Sequence, residues 1–180
     1  DIQFKVASGY ILNVSKSEEL HIAPGTDFAP GGTVILHGNA STTNPDGDFH
    51  LATGLRQDGV ASSSILDMSG GFDVTLAGNW FASSTSKFLD LNGVIFNSTS
   101  SQQKNIIATS SSDFAHIYFN GTGGSWTFGA NAATTTGDFN LIGSSVAVTA
   151  PSTNLTIGRD LRRNSNTFTH NGGTVIFNGS

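Results

Sequence analysis

Asn44, Asp46 and Asp48 alternate along the chain, a spacing that can turn three side-chain oxygens toward one Ca2+ ion. Phe49 stands where an EF-hand loop has its turn glycine, and Leu55 where it has its closing glutamate, so a plain Asx-type turn competes with the cation. Asp46 and Asp48 are the candidate metal ligands, and Ca2+ is the one cofactor they would take. Trp80 beside Phe81, Tyr118 and Trp126 offer aromatic faces of the kind that stack on sugar rings. Trp80, Trp126 and Tyr118 are therefore the candidate ligand-binding residues, with core packing as the competing fate of the same rings.

Other chemistry is thin. Glu18 and Glu19 are adjacent, which suits a turn better than an acid and a base facing each other across a glycosidic bond. His21, His37, His50, His116 and His170 form no close pair of zinc-site spacing. Serine is abundant, yet no Gly-x-Ser-x-Gly elbow occurs. Arg159, Arg162 and Arg163 fall within five residues, interrupted by Asp160, and read as a solvated coil edge or a subunit contact. Thr134 with Thr136 and Thr167 with Thr169 are isolated pairs, without the repeating ladder an ice-binding face needs. No catalytic residue emerges, and the chain is not expected to be an enzyme.

The elements that would carry these residues are short strands. Gly, Ser, Thr and Asn supply 80 of the 180 residues, and charged residues only 12%, about half the usual ~25%. Hydrophobic content of 37% with thirteen Phe is too high for a disordered linker. Apolar residues alternate in runs such as Ile2, Phe4, Val6 and Tyr10, Leu12, Val14, broken by glycine, proline or serine. No stretch holds a helical period. A net charge of −5 with eight Lys and Arg argues against nucleic acid. The chain has no cysteine, so disulfides do not staple it, and no apolar run approaches the ~20 residues of a membrane span.

Long-range echoes separate the candidate folds. Phe28 leads to Gly32-Thr33-Val34-Ile35-Leu36, Phe88 to Gly93-Val94-Ile95-Phe96, and Phe168 to Gly173-Thr174-Val175-Ile176-Phe177. These phenylalanines lie 60 and 80 residues apart, multiples of about twenty, the self-similarity of a solenoid. Gly78 to Phe96 and Gly158 to Phe177 read as two copies of one module, and Gly47-Asp48-Phe49 returns 90 residues later as Gly137-Asp138-Phe139. The expected fold is all-β, a parallel β-helix or β-solenoid with coils of about 20 residues, forming one domain over 1–180. An antiparallel β-sandwich, whose strands also recur every ~8–12 residues, is the alternative. Phe28, Phe88 and Phe168 are expected to form one aromatic ladder.

The strings Thr167-Phe168-Thr169-His170-Asn171-Gly172-Gly173-Thr174-Val175-Ile176-Phe177-Asn178-Gly179 and Gly9-Tyr10-Ile11-Leu12-Asn13-Val14 resemble the β-helix-like repeats of large bacterial surface and secreted proteins of adhesin type. The resemblance implies an extracellular or cell-surface module that serves as stalk, fibre or binding surface. The function expected is that of a non-enzymatic structural module, a fragment or polymerising subunit, stacking through open solenoid ends. Ser180 follows directly on a repeat strand, and copies of itself or further repeats of a longer chain are the expected partners. A carbohydrate-binding or adhesive module with glycan partners is the second expectation, and a β-helix polysaccharide-degrading enzyme the third.

Overall fold

Apolar residues alternate over only a few positions before glycine, asparagine, serine or proline interrupts them, so the chain makes short strands joined by corners. The computed structural model describes the backbone of these strands from Ile2 onward, and side chains for residues 74–80, 93–107 and 114–179. The first coil holds Ile2–Phe4 (β1), Ile11–Val14 (β2) and Leu20–Ile22 (β3), and the second Thr26–Phe28 (β4), Thr33–Leu36 (β5) and Phe49–Leu51 (β6). Thr53–Leu55 (β7) and Ala61–Ser63 (β8) pair antiparallel as an inserted hairpin. Winding resumes with Ile65–Asp67 (β9), Val74–Leu76 (β10) and Trp80–Ala82 (β11), then Lys87–Leu89 (β12), Gly93–Phe96 (β13) and Gln103–Ile107 (β14). Asp113–Phe114 (β15), His116–Phe119 (β16) and Ser125–Phe128 (β17) make the next coil, and Ala133–Thr135 (β18), Phe139–Leu141 (β19) and Ala147–Thr149 (β20) the one after. Asn154–Ile157 (β21), Leu161–Arg163 (β22), Thr167–Thr169 (β23) and Thr174–Phe177 (β24) complete the winding.

Strands of successive coils stack in parallel to give three faces. The first face is β1-β4-β9-β12 followed by a second sheet, β15-β18-β21-β24. The second face is β2-β5-β10-β13-β16-β19-β22, and the third is β3-β6-β11-β14-β17-β20-β23. Parallel pairing throughout these faces establishes the β-solenoid and excludes the antiparallel sandwich. Coils are about 22 residues long, and residues 93–179 make about four turns.

Inward side chains fuse the three faces. On the second face Val74, Val94, Ile117 and Phe139 share one register column, and Leu76, Phe96, Phe119 and Leu141 another, all within the buried core. Phe119 is at the centre: its ring stacks on Phe96 at 5.1 Å and meets Trp126 at 5.3 Å and Phe139 at 5.4 Å. One coil cannot bury such rings by itself, so stability comes from its neighbours. Corners are held by close approach of backbones. A Cβ at Gly158 would lie 2.1 Å from the Thr136 carbonyl oxygen. Gly123 and Ser145 turn one corner in successive coils with φ of 76° and 56°, and Ser145 accepts the left-handed conformation that glycine adopts freely.

The expected phenylalanine ladder forms only in part. Phe28 and Phe88 share a first-face column, both beside Leu66, whereas Phe168 lies on the third face beside Val148. The echoes themselves explain this. Eighty residues at about 22 per coil is about three and two-thirds coils, so each copy returns one face out of step. Phe49 on the third face and Phe139 on the second show the same displacement, their longer offset containing the β7–β8 hairpin. The repeating unit of the sequence is a strand with its corner, and three such units close a coil.

Candidate functional site

The aromatic candidates separate on folding. Along β17, Trp126 and Phe128 point into the core while Ser125 and Thr127 point out. Trp80 and Trp126 are each 0% exposed, which corrects the expectation that they present an open platform. Period-two alternation decides it, because Ser-Trp-Thr-Phe places both rings on one side of the strand. Tyr118 has the opposite parity, outward from β16 between Ile117 and Phe119. Asp46 and Asp48 lie outside the described residues. Among the described residues, no three His, Asp or Glu come together to hold a metal ion.

Tyr118 belongs to a polar column. On the second face Tyr118, Asn140 and Arg162 are register partners on β16, β19 and β22, and Phe139 and Leu141, which flank Asn140, fill the core. Beside them, where the chain enters this face, His116, Asp138 and Asp160 follow at the same interval. His116 Nδ1 accepts the Asp138 backbone N–H at 3.1 Å, which leaves the ring proton of a neutral imidazole on Nε2. The same Nδ1 is 3.7 Å from the Asp138 carboxylate. Asp138 Oδ1 accepts the Asp160 N–H at 3.4 Å and lies 3.8 Å from Arg159 Nε. Asp160 in turn accepts from Arg162 at 2.8 Å. That hydrogen bond, then the charges of Asp160 and Asp138, push the Arg162 guanidinium pKa further up. Arg159 and Arg162 are thus paired with carboxylates of their own face.

Two features of this column stand out chemically. The His116 and Tyr118 rings lie 6.1 Å apart with only 22° between their planes. Asn140, 2% exposed, has a buried Oδ1 that accepts no hydrogen bond. The spacing of 22 that would have found the column was visible in the sequence, but a coil set at 20 slips by two residues per turn and scatters it.

The third face carries a threonine ladder that sequence reading missed. Asn105, Thr127, Thr149 and Thr169 are register partners in successive coils and point outward. Periodicity alone does not distinguish a ligand surface from an ordinary polar sheet face. Fold and side chains together define a three-faced β-solenoid repeat protein. Comparison with protein-family models, curated proteins and solved structures finds no match.

Proposed function

We propose that this chain is a non-enzymatic extracellular structural module, a stalk or fibre element that gains length by stacking β-coils. The observation in support is the exposed edge of the last described coil. β22, β23 and β24 are edge strands of their sheets, Leu161, Phe168 and Val175 above the core are only partly buried, and Phe177 is 60% exposed. Unpaired edge backbone beside apolar side chains is the surface on which a parallel strand adds. Its occupant is a further coil of the same kind, from a longer chain or from a second copy. The resemblance to surface-protein repeats favours a setting outside the cell, and the charge-poor composition is compatible with it.

Light scattering and negative-stain microscopy across a concentration series test this. Rods of constant width should lengthen with concentration, and the double variant Ile176→Lys, Phe177→Lys should return the chain to monomers. A strict monomer at every concentration, with β22–β24 amides protected from hydrogen exchange, would count against the reading.

A further inference from the structure

We infer that the outer column of the second face is a binding site for a neutral glycan chain lying along the solenoid axis, a function distinct from end-to-end stacking. The fixed point of the site is Asn140. Its Oδ1 is buried without a donor, the register partners of Asn140 are Tyr118 and Arg162, and a hydroxyl group satisfies such an acceptor. Arg162, its register partner in the next coil, has a side chain 62% exposed, so it can shift as a ligand arrives.

The remaining groups suit a sugar. Tyr118 and His116 supply near-parallel rings whose faces pack against the C–H patches of a pyranose. Asp138 beside Arg159 and Asp160 hydrogen-bonded to Arg162 supply acceptors and donors, and planar groups of this kind grip neighbouring hydroxyls in pairs. Two carboxylates against two guanidiniums leave the patch without formal excess charge, so it selects neither an acidic nor a basic polymer. The rungs are one coil apart, about 4.8 Å, comparable with the advance of one pyranose in an extended chain. Successive sugars can therefore meet Tyr118, Asn140 and Arg162 in turn.

Isothermal titration of the folded chain with cellohexaose, xylohexaose, mannohexaose, chitohexaose and maltohexaose, with hexagalacturonate for comparison, tests the assignment. One of the neutral hexaoses should bind with micromolar to millimolar affinity, and Tyr118→Ala and Arg162→Ala should each weaken it at least tenfold. Thr149→Ala on the third face should leave it unchanged. Circular dichroism checks the fold of each variant, and the exposed Arg162 carries the test should Tyr118→Ala unfold. Binding to none of the neutral hexaoses, preference for hexagalacturonate, or binding that survives Arg162→Ala would overturn the assignment. None of these outcomes bears on end-to-end assembly, which the microscopy reads separately.

Discussion

At the scale of single residues, a costly feature of the fold is a lysine in its core. Lys104 is 0% exposed, its Nζ donates to the Ser100 carbonyl oxygen and sits 5.2 Å from the Trp126 ring centroid. Those contacts compensate only in part for lost hydration, and burial pushes its pKa down from 10.5 to about 8. The unfolded chain keeps this proton up to about 10.5 while the folded chain releases it near 8, so between those values the unfolded state binds more protons. Stability should therefore rise with pH across that window, by about 3 kcal/mol. Lys104→Met should raise the urea midpoint at pH 7 and abolish that part of the pH dependence. Gly158→Ala acts in the opposite direction. Its methyl group would meet the Thr136 backbone at 2.1 Å, and a loss of about 2–4 kcal/mol is expected in the same denaturation assay.

At the scale of elements, corners decide which coils stay in register. Asn166 joins two coils at the corner between the second and third faces: Oδ1 accepts the Val146 N–H at 2.9 Å and Nδ2 donates to the Leu141 carbonyl at 2.7 Å. Asn166→Ala leaves both backbone groups without their partner, at a cost of about 2–3 kcal/mol. Hydrogen exchange should show the loss first at Val146 and along β22–β24. Strand class and parallel stacking were legible in the sequence because glycine-punctuated alternation and long echoes are local or periodic signals. Which echo shared a face was not, since Phe88 and Phe168 match in spelling while a coil of about 22 residues sets them on different sides. Ring orientation was legible at Trp126, where Ser125 and Thr127 flank it, but residue type outweighed parity. The second-face column depends on register across coils, and an error of two residues per turn conceals Tyr118–Asn140–Arg162 completely.

At the scale of the whole molecule, the last described coil of the solenoid is mixed in character. Arg163 stands in the inward column of Leu76, Phe96, Phe119 and Leu141, where its stem can cover Leu141 while its charge stays wet. An inward-pointing charge restrains edge-to-edge pairing. Arg163→Leu should therefore promote end association: burying a leucine in place of a guanidinium is worth about 1.5–3 kcal/mol, and light scattering should detect rods at concentrations at least tenfold lower. The three-unit coil has a further consequence for how such a chain can vary. Insertion of a full coil would lengthen the rod and leave every later side chain on its original side. Insertion of a single strand with its corner would turn all that follows by a third of a revolution, carrying any lateral binding column to a different side of the rod. Length and bearing are thus separately adjustable, the first in whole coils and the second in thirds.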